Sequence, residues 1–184
     1  MTVWIALLRA VNVSGFNRLP MDEFRAMLTG LSQDGQGLAQ VRTHVQSGNA
    51  VFRSDLPAHV LRSLIADAVL ARFGFRPPVL LLTLAEFEAA LAANPFPRAQ
   101  PDKLHYFFMD RALPNATDAF LKSVAGPTEA YAFRGKMLWL HLPDGIGRSK
   151  LAHRVMNLPL EITARNGKSV AAIAALARKL EAIG

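Results

Sequence analysis

Glycines, hydroxyl groups and basic side chains occur together twice in the second half of the chain, each time before a stretch with a helical pattern. The first stretch is "DGIGRSKL", residues 144–151, and the second is "TARNGKS", residues 163–169. Glycine lets backbone N–H groups approach a ligand closely, and the N-terminus of a helix favours anions. The candidate anion-binding residues are Gly145, Gly147, Arg148, Ser149, Lys150, Arg165, Asn166 and Lys168.

The same residues also have a purely structural interpretation. The glycines can form a tight turn, Ser149 can cap a helix, and basic side chains near helix starts are often only solvated. Established phosphate motifs do not decide the matter. "GIGRSK" lacks the third glycine of the dinucleotide-binding pattern. "NGKS" ends like a Walker A loop, but Ile162 stands where that pattern needs its first glycine.

Small polar residues surround two glycines in the first half of the chain and form a second candidate site. This set is Asn12, Gly15, Asn17, Ser47, Gly48 and Asn49. Their side chains can hydrogen-bond a small molecule or the end of an RNA. They can equally satisfy the backbone of turns through Asx-type hydrogen bonds.

The elements that must position these residues follow from hydrophobic periodicity. The first half has the order βαββαβ, with a strand at 3–11, a hairpin turn at "SGN" and a strand at 78–83. Thr83 and Glu86 match a capping box for the next helix. The second half repeats this order and adds a closing helix. The pattern predicts an α+β protein of two tandem ferredoxin-like units, with antiparallel sheets and helices packed on one face.

A proline-rich stretch, "NPFPRAQPDK", separates the two halves. We expect a first unit with its connecting helix at 1–92, a linker at 93–103, and a second, basic unit with the C-terminal helix at 104–184. With the usual strand order 4-1-3-2, residues 12–17 meet residues 47–49 at one sheet edge. In the second unit, the two glycine-containing stretches then meet at one edge, roughly 10 Å apart.

The positive charge is concentrated in the second half. The net charge is +7, of which residues 1–95 contribute +1 and residues 96–184 contribute +6. A basic half favours phosphorylated ligands or polyanions, although a surface tuned for solubility has the same composition. The chain has no cysteine, no basic leader region and no apolar run long enough for a bilayer. We expect a cytoplasmic protein without a membrane partner; its oligomeric state does not follow from the sequence.

Motifs for catalysis or metal binding are absent from the sequence. The 5 histidines are scattered without ligand spacing, so we expect no metal and no cofactor. The sequence lacks a nucleophile elbow and an evident acid–base pair, which disfavours an enzyme without deciding the question. The expected function is binding of a phosphate-bearing ligand such as a nucleotide or nucleic acid. The alternative is an enzyme that acts on a phosphorylated small metabolite.

Four stretches together resemble a known bacterial family, the domain of unknown function 1697: "IALLRAVNVSGFNRLPMDEFRAML", "VRTHVQSGNAVF", "DGIGRSKL" and "TARN". The resemblance runs over nearly the whole chain and implies a duplicated ferredoxin-like fold with no established activity. The family usually has glycine where Ala10 and Ser14 stand, and tends to have tryptophan where Gly167 stands. The motif positions retained in this chain are Asn12, Gly15, Ser47, Gly48, Asn49, Gly145, Gly147, Ser149, Lys150, Arg165 and Asn166.

Overall fold

The structure is a computed structural model that describes residues 1–13, 15–31 and 37–183. Ser14, one of the positions singled out above, lies outside the described residues. The first elements are β1 (Thr2–Leu8), α1 (Met21–Thr29), β2 (Ala39–His44), β3 (Asn49–Ser54), α2 (Ala58–Phe73), β4 (Val79–Thr83) and α3 (Leu84–Ala92). They are followed by β5 (Leu104–Met109), α4 (Thr117–Val124), β6 (Ala130–Arg134), β7 (Met137–His141), a 3₁₀ turn (Ile146–Arg148), α5 (Lys150–Met156), β8 (Ile162–Asn166) and α6 (Gly167–Ile183).

The strands form two separate antiparallel sheets of four strands each. Their orders are β2-β3-β1-β4 and β6-β7-β5-β8, and every pairing within them is antiparallel. Numbered within each unit, this is the predicted order 4-1-3-2. The predicted fold class is therefore confirmed: α+β, with two βαββαβ-like units.

The central strands are buried on both faces. All six residues of β5 are buried, and in β1 only Thr2 and Trp4 keep appreciable exposure. On one face of the first sheet, Ala6 and Leu8 belong to an apolar cluster with Phe24 of α1 and Leu61 of α2. An antiparallel sheet commonly leaves one face in water, so burial of both faces explains why these strands read as nearly continuous apolar runs.

Residue contacts divide the chain into two compact units. One unit is Met1–Ala89 together with the C-terminal stretch from Ala171, and the other is Ala90–Val170. Helix α6 therefore begins in one unit and continues in the other, whereas the boundaries expected from sequence assigned the whole helix to 104–184. The long-range contacts of α6 give the reason. Arg53 donates a hydrogen bond to the carbonyl oxygen of Leu180 at 3.1 Å, and Arg178 pairs with Glu88 at 2.6 Å.

Two predicted helix caps are present. The backbone N–H of Thr83 donates to Glu86 Oε2 at 2.8 Å, and the N–H of Glu86 donates to Thr83 Oγ1 at 3.2 Å, which completes the capping box. Ser149 Oγ accepts a hydrogen bond from the N–H of Ala152 at 2.9 Å and caps α5. Within the described ranges, no helix has both the length and the apolar character that crossing a bilayer requires.

Candidate functional site

The two glycine-containing stretches of the second unit reach the same end of its sheet. Strand β5 lies between β7 and β8, with Leu104 opposite His141 and His105 opposite Asn166. Both flanking strands therefore end beside the start of β5, as the predicted strand order requires. The ends of the two flanking strands are separated by two strand spacings, roughly 10 Å.

The first of these loops lines a surface recess of about 440 Å³, which we call the loop recess. Gly145 adopts a left-handed backbone conformation, with φ +91°, and starts the 3₁₀ turn. Arg148 and Lys150 are exposed. The loop recess is lined by Val124, Gly126, Pro127, Thr128, Glu129, Asp144, Gly145, Arg148, Ser149 and Lys150.

Two carboxylates line the loop recess together with its two cations, Arg148 and Lys150. Asp144 Oδ2 accepts a hydrogen bond from Thr128 Oγ1 at 2.8 Å. Glu129 Oε2 accepts one from the N–H of Gly126 at 2.7 Å. The charges of Arg148 and Lys150 are thus offset within the same lining, which weakens the attraction of the loop recess for an anion.

The second stretch, which runs from β8 directly into α6, does not contribute to the loop recess. Arg165 is only 7% exposed, and its guanidinium donates to Thr163 Oγ1 and to the carbonyl oxygen of Ala164, both at 2.8 Å. Burial lowers the pKa of Arg165 to about 10. Asn166 Oδ1 accepts a hydrogen bond from the N–H of Ser169 at 2.9 Å and caps α6. Lys168 is exposed, but it is not among the residues lining the loop recess. Of the eight candidate residues, Gly145, Arg148, Ser149 and Lys150 line the loop recess, whereas Arg165 lies in the interior.

Gly167 anchors the proline-rich stretch to the start of α6. Its backbone N–H donates to the carbonyl oxygen of Pro101 at 2.7 Å. A Cβ atom at position 167 would lie 2.7 Å from that oxygen and 3.0 Å from Pro101 Cα. Only glycine permits this approach without displacement of the proline-rich backbone.

The proline-rich stretch itself forms a second recess in the same unit, with a volume of about 660 Å³. We call it the proline recess. Arg98 is exposed and Lys103 is half-buried. No acidic side chain is among the described residues that line it. The proline recess is lined by Pro95, Phe96, Pro97, Arg98, Ala99, Gln100, Lys103, His141 and Pro143.

Backbone hydrogen bonds hold the walls of the proline recess in place. The N–H of Ala99 donates to the carbonyl oxygen of Phe96 at 3.0 Å, and the N–H of Lys103 donates to that of Gln100 at 2.9 Å. Across the sheet edge, the N–H of Leu142 donates to the carbonyl oxygen of Lys103 at 2.8 Å. These bonds indicate a preformed recess.

Sequence reasoning missed the proline recess because it treated residues 93–103 as a linker. A signal was nevertheless present, since Phe96, Arg98 and Lys103 occur among three prolines. The sequence did not reveal which ring contacts that of Phe96. His141 stands at the end of β7, far along the chain, and its ring centroid lies 6.1 Å from that of Phe96.

The second candidate site lies at the predicted edge of the first sheet, and its amides are engaged by turn backbones. Asn12 Nδ2 donates to the carbonyl oxygens of Leu19 at 2.9 Å and Gln46 at 2.8 Å, and Asn12 Oδ1 accepts from the N–H of Leu19. Asn17 Nδ2 donates to the carbonyl oxygen of Ala10 at 2.8 Å. These bonds favour the structural interpretation of the asparagines.

The hairpin of the first unit contacts the loop after β1 directly. Asn49 is fully buried and its Nδ2 donates to Ser47 Oγ at 3.1 Å. The N–H of Leu8 donates to the carbonyl oxygen of Gly48 at 2.9 Å. Gly48 has φ +70°, and a Cβ there would lie 2.6 Å from Val11 Cγ2.

Left-handed backbone geometry is concentrated in the loop after β1. Ala10, Asn12 and Asn17 have φ values of 56°, 53° and 50°, and Gly15 has 80°. This geometry ends β1 at Leu8, three residues earlier than the apolar pattern predicts. It also fits the glycine that the resembling family carries at position 10, because glycine adopts this conformation without a steric penalty.

Among the described residues, no group of three or more His, Cys, Asp or Glu side chains could hold a metal ion.

The fold defines a small α+β protein of two tandem four-stranded units. The chain belongs to the family described as protein of unknown function DUF1697, which matches residues 1–139. The stretches "DGIGRSKL" and "TARN" lie beyond that range, so the family match covers less of the chain than the resemblance of short stretches implied.

A solved structure supports the same architecture. It is described as the structure of conserved bacterial protein SP0830 from Streptococcus pneumoniae. The two chains are 26% identical, the match covers 96% of this chain and 98% of that chain, and the TM-score is 0.74. No curated protein matches the chain.

Proposed function

We propose that this protein binds a phosphate-bearing ligand, a nucleotide or the end of a nucleic acid, at the proline recess. The supporting observation is the charge of the lining, in which Arg98 and Lys103 occur with no acidic side chain among the described residues. Cations in a recess with apolar walls raise the local concentration of anions, because the field is poorly screened there.

The proline recess suits an anion better than the loop recess does. Within the described ranges, no ion pair engages Arg98 or Lys103. In the loop recess, by contrast, Asp144 and Glu129 stand beside the cations. The basic half predicted from sequence thus offers one recess whose lining has no acidic side chain and one whose lining carries both signs of charge.

The test compares the wild type with a variant that lacks both cations of the proline recess, Arg98→Ala with Lys103→Ala. Charge-assisted hydrogen bonds contribute about 1.5–3 kcal/mol each, and about 1.4 kcal/mol corresponds to tenfold in affinity. We expect the wild type to bind pyrophosphate and ATP at low salt, and the variant to bind both at least tenfold more weakly. Isothermal titration calorimetry measures the affinities.

Two further variants locate the effect. Arg62 and Lys179 are exposed cations of the other unit, and their replacement by alanine removes the same net charge as a control. Arg148→Ala with Lys150→Ala tests the loop recess, where we expect a smaller loss. Equal losses in all three variants would mean that only net charge matters. Absence of binding by the wild type, or the largest loss in the loop variant, would also overturn the proposal.

Catalysis is checked on the same samples. Phosphorus NMR of each ligand after incubation with the protein should show the ligand unchanged. Appearance of a product would support the alternative, an enzyme that acts on a phosphorylated metabolite.

A further inference from the structure

We infer that the ligand of the proline recess is a mononucleotide, with its base against Phe96 and His141 and its phosphate at Arg98 and Lys103. This inference rests on the proposed function and adds that the ligand carries a planar base. The residues that carry it all lie in Ala90–Val170, within one compact unit.

The aromatic pair provides the surface for the base. The rings of Phe96 and His141 have centroids 6.1 Å apart and planes inclined by 34°. Both side chains are half-buried and line the recess, so part of each ring is accessible from it. Every nucleobase has a π-face that stacks on aromatic side chains, which makes such a surface favourable for a base and neutral toward a bare sugar phosphate.

The size and rigidity of the recess suit a small ligand. Its volume of about 660 Å³ lies within the range of about 300–1,000 Å³ that small-molecule sites occupy. Pro95, Pro97 and Pro143 supply apolar walls with fixed backbone φ. Because the backbone hydrogen bonds described above already hold these walls, binding orders little additional chain.

The charges favour a single phosphate group over a longer strand. A phosphate monoester carries about −1.5 to −2 charges at pH 7, which Arg98 and Lys103 together match. Beyond Pro143 the chain continues into Asp144, which lines the loop recess with Glu129. These carboxylates repel the next phosphate of a strand that leaves the proline recess in that direction.

The experiment compares AMP with ribose 5-phosphate by calorimetric titration of the full chain at low salt. Base stacking predicts that AMP binds at least about fivefold more tightly than ribose 5-phosphate. Phe96→Leu keeps an apolar side chain and removes the ring. It should bring the affinity for AMP down to that for ribose 5-phosphate and leave the latter within about twofold. Phe120→Leu, at a ring that is 38% exposed on α4, is the matched control and should change neither affinity.

Each outcome separates the inference from the proposed function. Equal affinities of the wild type for AMP and ribose 5-phosphate would overturn the mononucleotide and leave phosphate binding intact. No binding of either compound would overturn both. An oligonucleotide that binds far more tightly than AMP, with a steeper salt dependence, would identify a nucleic acid strand instead. If Phe96→Leu does not fold, His141→Leu provides the same comparison at the other ring.

Discussion

The backbone N–H of Gly167 donates a hydrogen bond of 2.7 Å to the carbonyl oxygen of Pro101. This bond joins the first residue of α6 to the proline-rich stretch that forms the proline recess. The position that a Cβ of residue 167 would occupy is filled by the backbone of Pro101. The glycine at 167 is therefore required by a close backbone approach, a role that the flanking sequence "TARNGKS" does not reveal.

Gly167→Ala should destabilise the protein by about 1–3 kcal/mol, the usual cost of forcing an extra methyl group into a packed site. It should also weaken ligand binding at the proline recess, because Pro101 must move. Urea denaturation and the AMP titration measure the two effects. Gly147→Ala is the control, since a Cβ there meets no atom within 4 Å. Equal stability of the two variants would contradict the role of Gly167.

Gly48→Ala should cost about 2–4 kcal/mol of unfolding free energy. Left-handed backbone is unfavourable for alanine, and the added Cβ would lie 2.6 Å from Val11 Cγ2 and 2.9 Å from Leu8 Cβ. Gly74→Ala isolates the backbone contribution, because Gly74 has φ +79° and open space around it. That control should lose only about 1–2 kcal/mol in the same urea titration. A loss at Gly48 no larger than at Gly74 would refute the clash.

Acid should destabilise the protein partly through His105. This side chain is 6% exposed, and its Nδ1 is buried. Burial lowers the pKa of His105 from its ordinary value of 6.5, against opposing contributions from the backbone of Lys103 and from Asp102. The unfolded chain therefore takes up the proton first, so this contribution to stability is complete above about pH 6.5 and is lost as the pH falls below it.

Replacement of the ring tests this linkage. In His105→Phe, the unfolding free energy should fall less between pH 7 and pH 5 than in the wild type. Urea titrations at the two pH values give the difference for each protein. An unchanged difference would exclude His105 as the source of the acid sensitivity.

Arg165→Lys should reduce the stability of the fold without changing the affinity for the ligand. Arg165 Nη1 donates both hydrogen bonds, to Thr163 Oγ1 and to the carbonyl oxygen of Ala164. The ammonium nitrogen of lysine lies one bond closer to the backbone, and a buried lysine loses its charge more readily than arginine does. We expect a loss of about 1–3 kcal/mol in thermal or urea unfolding. The affinity for pyrophosphate, measured where the variant is fully folded, should equal that of the wild type. A weaker affinity for pyrophosphate at unchanged stability would indicate that Arg165 belongs to the binding site.

Local patterns in the sequence were sufficient to predict the elements and two of the helix caps. The Thr83–Glu86 capping box and the Ser149 cap join residues three positions apart, so a short segment of sequence is enough to predict them. The order βαββαβ also followed, since apolar periodicity distinguishes helices from strands. With the order known, the preferred topology of such a unit predicted both sheets.

The position of each side chain relative to solvent and to distant residues depended on the tertiary structure. Arg165 lies on β8, an edge strand. Strand alternation places Thr163 and Arg165 on the same face, and one face of an antiparallel sheet is commonly exposed to solvent. That face is buried here, because the cover of a sheet comes from elements remote in sequence. For the same reason, the sequence drew attention to two glycine-containing stretches, and the recess where Phe96 meets His141 was not predicted. Short-range patterns determine which element forms, whereas burial, charge balance and ring contacts are set by residues that only folding brings together.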